Sequence, residues 1–408
     1  MVRKLAGDVP HTTIYCAPGN PGTGQHGINV PIPAGDVSAL VRFAAAESIA
    51  LTVVGPEQPL AAGIADAFTA SGLPIFGPCA SAARIESSKA FSKQLMQECG
   101  VATAAFQVFD DPGAARAFAA DMDAPLVVKA SGLAGGKGAV VCADHREADE
   151  AIVDLMEHAT LGDAGAEVVI EEFMTGEELS VFFITDGSEA AALAPARDHK
   201  RRMAGDLGPN TGGMGAYSPV LGADRELVEL IRREIAEPVL AGLADRGAPY
   251  RGFLYAGVML TPEGPKVVEF NCRLGDPEAQ VVLPLMEDEL FEPLLAVGRG
   301  GGLGGWQPEP PSRAALTTVV VQGAYPGPVS AGLPIEMPAD LESSQLHVYH
   351  AGTALENGQL VTAGGRVFGI TGIADDLVTA AERSRSGAAR VQFEQVDWRP
   401  DIGHSEIR

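Results

Sequence analysis

Residues 126–138, Leu-Val-Val-Lys-Ala-Ser-Gly-Leu-Ala-Gly-Gly-Lys-Gly, hold two lysines and four glycines behind a short apolar run. Leu126, Val127 and Val128 read as a buried strand that delivers Lys129. The glycines that follow let backbone amides approach an anion with no Cβ in the way. A lysine at a strand end beside a flexible glycine flap suits the phosphates of a nucleotide. This is not a Walker loop, since Gly138 and not Ser or Thr follows Lys137. On this segment alone, a glycine-rich surface loop with two solvated lysines also fits.

A second strand pattern is richer in chemistry. With period two over residues 266–273, Val267, Glu269, Asn271 and Arg273 face one way, and Val268, Phe270 and Cys272 the other. Glu269 and Asn271 then set a carboxylate beside an amide oxygen, the hard ligands that Mg²⁺ prefers, and Arg273 adds a bidentate anion clamp. The alternative is a half-exposed strand with ordinary polar residues. Asp198-His199-Lys200-Arg201, followed by the glycine-rich residues 208–215, forms a cationic cluster beside a second loop. It could hold a substrate carboxylate or a phosphoryl group in transfer. Residues 168–170 run into Glu171, Glu172, Phe173 and Met174, where backbone at a strand exit can read an adenine edge. Glu178, after the Thr175-Gly176 turn, could accept ribose hydroxyls, although acidic residues at strand ends are commonly just solvated. His347 and His350, three apart in a strand-like run, face opposite sides and read as structural.

These groups need elements to carry them. Short apolar blocks at residues 14–16, 51–54 and 73–76 each end in Gly or Pro and alternate with helical stretches, the rhythm of parallel strands with crossover helices. Ligands in open α/β sheets sit beside strand carboxyl ends, here Gly19-Asn20, Gly55-Pro56-Glu57 and Gly77-Pro78. Residues 81–100 follow a helical period, with Lys89 and Lys93 on one face. Residues 252–273 read as an antiparallel hairpin turning at Thr261-Pro262-Glu263-Gly264. Glycine-rich residues 300–305 and a proline-rich run to 311 predict a linker before a strand-rich terminal domain.

The 408 residues, 46% hydrophobic and 20% charged, are enough for two or three domains. A net charge of −24 with 29 scattered Lys and Arg excludes nucleic acid as the main partner, so any bound phosphate is small and locally held. No apolar run spans a bilayer and no secretory signal is legible, which predicts a cytoplasmic protein without a membrane partner. Five widely spaced cysteines fit neither a disulfide framework nor a zinc site, so reduced thiols are expected.

In order and spacing, Lys89, Lys129 with its loop, the 171–178 segment and the Glu269-Asn271-Arg273 strand resemble the ATP-grasp superfamily. The closer resemblance is to the phosphoribosylamine-glycine ligase family. Its wording appears in residues 17–20, 54–57, 75–78, 88–91, 198–201, 210–217, 269–273 and 275–278, from about residue 5 to residue 403. The resemblance implies an α/β fold, α+β in part: a doubly wound parallel-sheet domain at residues 1–88, an ATP-grasp domain at 89–302 with a lid at about 104–178, and a strand-rich domain at 303–408. It also implies ligation of glycine to 5-phosphoribosylamine through glycyl phosphate, with ATP and Mg²⁺ or Mn²⁺, by a monomer in purine biosynthesis. Lys89, Lys129, Gly135, Gly136, Lys137 and Gly138 would contact ATP phosphates, Glu171, Glu172, Phe173 and Met174 the adenine, and Glu178 the ribose. Glu269 and Asn271 would hold the metal. Arg273, Asp276, Asn210, Lys200, Asp198, Thr211, Gly212 and Gly213 would surround glycine and the acyl phosphate, and Gly19, Asn20 and Glu57 the sugar phosphate.

One departure stands out. Relatives in this family open with a strand and a turn containing Gly-Arg-Glu-His, whereas Met1-Val2-Arg3-Lys4-Leu5 resembles the middle of the helix that follows them. The first strand and its phosphate loop are thus expected to be missing, with the true start upstream and a gap in the amino-terminal sheet. Two alternatives are a truncated chain that binds ATP without turnover, and another ATP-grasp carboxylate-amine ligase.

Overall fold

The computed structural model describes every residue except Lys137 and Arg408, so the expected phosphate contact at Lys137 lies outside the described residues. The three apolar blocks near the amino terminus are strands. Tyr15–Cys16 pairs in parallel with Ile28–Asn29, and Thr52–Val53 with Ile75–Phe76. The two pairs are not hydrogen-bonded to each other. The Val2–Asp8 helix carries Met1 and Leu5 onto a core that also takes Leu51 and Val53.

The expected single helix over residues 81–100 is broken in two. Ala80–Ser87 and Lys89–Glu98 meet at Ser88, whose backbone is extended and whose hydroxyl accepts the Phe91 N–H at 3.2 Å. The break has a use. It frees the first amides of the second helix, so that Lys89 N–H reaches Ser131 O at 2.8 Å and Ala90 N–H reaches Ser131 Oγ at 3.1 Å. The glycine flap is thereby tied to the helix that bears Lys89 and Lys93.

Two antiparallel sheets follow. The lid sheet orders Phe106–Phe109, Val168–Glu172, Leu126–Ala130 and Ala139–Cys142. Helices Pro112–Asp121 and His145–Ile152, N-capped by Asp111 and Asp144, cover one face of it with Ala115, Ala119, Ala148 and Ile152. Val168, Val169 and Ile170 are fully buried, each worth about 2 kcal/mol of transfer free energy. The floor sheet orders Ala190–Ala192, Glu177–Thr185, Gly252–Thr261 and Gly264–Asn271, the last two forming the expected hairpin. Strict alternation fails once on it. Gly257 pairs with Glu269 and Val258 with Val267, so Val268 bulges. Val267 therefore packs in the core with Phe270 and Cys272 and leaves the face carrying Glu269 and Asn271.

A six-stranded sheet crosses the expected boundary at residue 302. Ala314–Gln322, Arg366–Ala374, Leu346–His350 and Val396–Trp398 are joined in it by Arg197–Asp198 and Gly215–Ser218. The predicted linker is fastened, since Leu303 N–H donates to Asp186 at 2.8 Å and Trp306 packs on the core. His347 and His350 stay local, with Tyr349 OH and Thr353 Oγ1 as partners. The cysteines are free thiols, and among the described residues no helix is long and apolar enough to cross a membrane.

The hairpin of Arg201–Met203 and Leu207–Asn210 is clasped by the carboxyl-terminal segment. Arg399, with its side chain fully buried, meets Asp401 at 2.6 Å, Asp206 at 2.7 Å and Arg201 O at 3.1 Å. Arg399→Met should lower unfolding free energy by about 2 kcal/mol, because it removes the cation that two carboxylates and a carbonyl share, while Asp206 keeps His199 and His404 and Asp401 keeps the Gly205 N–H. Urea denaturation checks this, and a loss below 1 kcal/mol would mean that the clasp is ornamental.

Candidate active site

Lys129 leaves the lid sheet and reaches the floor sheet, donating to Val268 O at 3.3 Å. Its ammonium lies 2.8 Å from the Glu171 carboxylate, which also meets Lys93 at 3.2 Å. The Glu171 side chain is thus buried between two lysines, while its backbone continues the strand toward Glu172, Phe173 and Met174. Phe173 is exposed at that exit, and Glu172 accepts the Ala105 N–H at 3.0 Å.

Glu269 is half-buried and Asn271 buried, and among the described residues neither side chain has a hydrogen-bond or ion-pair partner. Burial would raise the Glu269 pKa, but Lys200, Lys89, Lys129 and Arg273 together hold it below the usual range. An ionised carboxylate and an unpaired amide on one strand face fit a hard divalent cation.

The cations around them are mostly engaged. Lys200 pairs with Glu178, the expected ribose ligand, and lies 3.3 Å from Asp198. Although burial opposes its charge, Asp198 and Glu178 raise its pKa well above the usual value. Arg273 is no open clamp. It lies 3.2 Å from both Glu57 and Glu86, and so joins the amino-terminal region to the floor sheet. Lys89 is half-buried beside Glu269 and Lys129, and desolvation lowers its pKa.

The second glycine loop folds by its own side chains. Thr211 Oγ1 donates to Lys200 O at 2.8 Å and accepts the Gly213 N–H at 3.0 Å. Gly213 has φ +107°, and a Cβ there would lie 2.4 Å from Pro277 Cδ. Asn210, Thr211 and Gly212 share a cavity of about 480 Å³ with Gly135, Gly136 and Asp276. Tyr325 and Arg366 also line it. Tyr325 OH accepts the Gly212 N–H at 2.8 Å, and Arg366 reaches Asp276 Oδ2 at 2.8 Å and the Gly212 carbonyl. Asn20 does not line the cavity itself but abuts its wall, its amide donating to His350 O at 2.9 Å and to Ala351 O at 3.5 Å, and accepting the Thr23 N–H, with Ala351 a lining residue. Gly19 has φ +75° against Asn29.

Four contributors escaped the sequence. Glu278 stands inside a motif already quoted, and Glu86 lies in the helical run at residues 81–100, where only Lys89 and Lys93 were singled out. Tyr325 and Arg366 carry no local signal. The buried Glu278 carboxyl accepts from Ser180 Oγ at 3.3 Å, and Ser180 Oγ lies 3.1 Å from Tyr255 OH.

A lid sheet with a glycine flap and lysine, facing a floor strand with hard oxygen ligands, defines an ATP-grasp enzyme, a class that uses ATP with a divalent metal. Family models agree along the chain: "Phosphoribosylglycinamide synthetase, N domain" matches residues 1–86, its "ATP-grasp (A) domain" 87–279 and its "C domain" 315–405. The phosphoribosylamine–glycine ligase of Ralstonia nicotianae is 45% identical over 412 residues, covering 99% of this chain and 96% of that protein. The trifunctional purine biosynthetic protein adenosine-3 of Gallus gallus is 46% identical over 411 residues, but this chain spans only 41% of its length. The crystal structure of the Thermotoga maritima phosphoribosylamine–glycine ligase superposes with a TM-score of 0.85 at 31% identity, covering 98% of this chain and 96% of that one. The chain belongs to the phosphoribosylamine–glycine ligase family.

Glu278 gives this site a pH signature. Burial, then Asp198, raise its pKa from 4.5 to about 8 against the pull of Lys200. Between those values the native state keeps a proton that the unfolded chain has lost, so this group's stabilising contribution falls as pH rises through the window. Glu278→Gln should therefore flatten the decline of melting temperature from pH 5 to pH 9. Parallel curves for variant and wild type would refute the assignment.

Proposed function

We propose that the protein joins glycine to 5-phosphoribosylamine at the expense of ATP, giving glycinamide ribonucleotide, ADP and phosphate. The carrying observation is that Glu269 and Asn271 have no side-chain partner among the described residues, while Lys200, Lys89, Lys129 and Arg273 surround the Glu269 carboxylate. The glycine carboxylate attacks the γ-phosphorus of ATP, the bond to the ADP oxygen breaks, and glycyl phosphate forms. The amine of the sugar phosphate then attacks the acyl carbon and phosphate departs, with the amine proton passing to a base or to water.

In the first step negative charge is brought against negative charge, so positioning and neutralisation matter more than a protein nucleophile. Lys89 and Lys129 would hold the phosphates, Gly135 and Gly136 would lie over them, and Glu178 would take the ribose. Glu269 and Asn271 would hold Mg²⁺ or Mn²⁺, which when bound neutralises phosphate charge. Lys200, Asn210, Thr211, Gly212 and Asp276 would face glycine and its acyl phosphate. Arg273 orders the same corner through Glu57 and Glu86. The family relationship favours this substrate pair. We place it in the cytoplasm as a monomer acting on small molecules.

Purified protein should release ADP only when glycine and phosphoribosylamine are both present. ADP release with another amino acid or with formate, and none with glycine, would replace this reading by that of a different carboxylate–amine ligase. Glu269→Ala should weaken metal-dependent ATP binding about tenfold or more, the scale of losing one charged ligand. His350→Ala should leave that binding unchanged, since the ring hydrogen-bonds Thr353 and packs on Phe368. Equal effects in a calorimetric titration would sink the metal assignment.

A further inference from the structure

Lys93 belongs to no ligand-binding set described above, yet it is only 2% exposed and shares a carboxylate with Lys129. Its ammonium lies 3.2 Å from Glu171 Oε1, while Lys129 lies 2.8 Å from Oε2 of the same carboxylate. Lys93 also donates to Thr103 Oγ1 at 2.7 Å, and Thr103 Oγ1 donates to Val267 O at 2.6 Å. Lys129 donates to the next carbonyl, Val268 O. Both lysines are therefore strung between the lid sheet and the strand that presents Glu269, with Glu171 as the shared knot.

A buried ammonium is costly to desolvate, and burial does draw Lys93 down to about pKa 8, with Glu171 pulling the other way. Packing alone would be served better by Met or Leu. What the charge accomplishes follows from counting: two ammoniums and one carboxylate leave one net positive charge. Both lysines are buried, but Lys129 at 7% exposed is the more accessible of the two, Lys93 being 2% exposed, so that charge is offered to a ligand at Lys129. Were Lys93 neutral, Glu171 would neutralise Lys129 in full, and an incoming phosphate would have to compete with a low-dielectric ion pair.

We propose that Lys93 is a positioning residue for ATP: by sharing Glu171 it keeps Lys129 available to the nucleotide and fixes the lid sheet's distance from the metal strand. This rests on the ATP-dependent function proposed above. Wild-type protein that fails to bind ATP·Mg in calorimetry would overturn that function itself.

With wild-type binding established, Lys93→Met should raise Kd and KM for ATP·Mg about tenfold, roughly 1.4 kcal/mol, and leave KM for glycine unchanged. Lys93→Arg should restore most of the loss. Adding Glu171→Gln to Lys93→Met should also bring Kd back toward the wild-type value, because it removes the carboxylate that captures Lys129. A purely structural lysine predicts a lower melting temperature with no change in Kd and no relief from the second substitution. If Lys93→Met does not fold, Lys93→Gln, which keeps a donor toward Thr103 and Glu171, carries the same test. A folded variant with unchanged Kd for ATP·Mg, or a loss that Glu171→Gln leaves in place, overturns the proposal.

Discussion

Lys89, Lys93, Lys129, Lys200 and Arg273 crowd into one cleft of a chain whose net charge is −24, and like charges stay together in a poor dielectric only if carboxylates are threaded among them. Glu171 serves Lys93 and Lys129, Glu178 and Asp198 serve Lys200, and Glu57 and Glu86 serve Arg273. All but the local Asp198–Lys200 contact join different elements. The cleft's electrostatics and the docking of its parts are consequently one problem, and loosening any such pair would both unbalance charge and unseat a piece of the fold. Lys89 and Glu269 stand outside these pairs among the described residues, and they are the groups proposed to meet ATP phosphate and metal.

Much of this could be seen in the amino acids alone because its signals are local. A strand that delivers Lys129 into a glycine run, and a polar-apolar alternation that puts Glu269 beside Asn271, declare themselves over a few residues. What failed depended on distant partners. The helix break at Ser88 needs Ser131, 43 residues away, to take up the freed amides, and helical periodicity runs straight through it. The bulge at Val268 is set by pairing with Gly257 and Val258, so period two misassigned Val267. Arg273 read as an open anion clamp because nothing near it in sequence shows that Glu57 and Glu86 fold back onto it.

The carboxyl-terminal region was the least legible, and the reason is topological. Its strands share a sheet with Arg197–Asp198 and Gly215–Ser218, which flank the second glycine loop, so this region acts on the cleft through backbone pairing. Tyr325 and Arg366 reach the loop's Gly212 and, through Arg366, Asp276, yet neither sits in a stretch whose composition hints at chemistry. A boundary drawn at residue 302 from glycine and proline content separates side chains that the sheet brings together.

This arrangement assigns rigidity and freedom to different parts of the cleft. Glu269 and Asn271 lie on a paired strand of the floor sheet, whereas Gly135 and Gly136 have positive φ and open space where a Cβ would be. The proposed metal ligands, which would have to recover the same geometry each turnover, are carried by a strand paired along its length. The loop proposed to cover the phosphates, which would have to admit a nucleotide and release its product, consists of residues with the widest backbone choice. Ser131 joins the two regimes: its carbonyl and hydroxyl are fixed to the Lys89–Glu98 helix, so the flap can open beyond it while Lys129 behind it stays tethered to Glu171 and the floor.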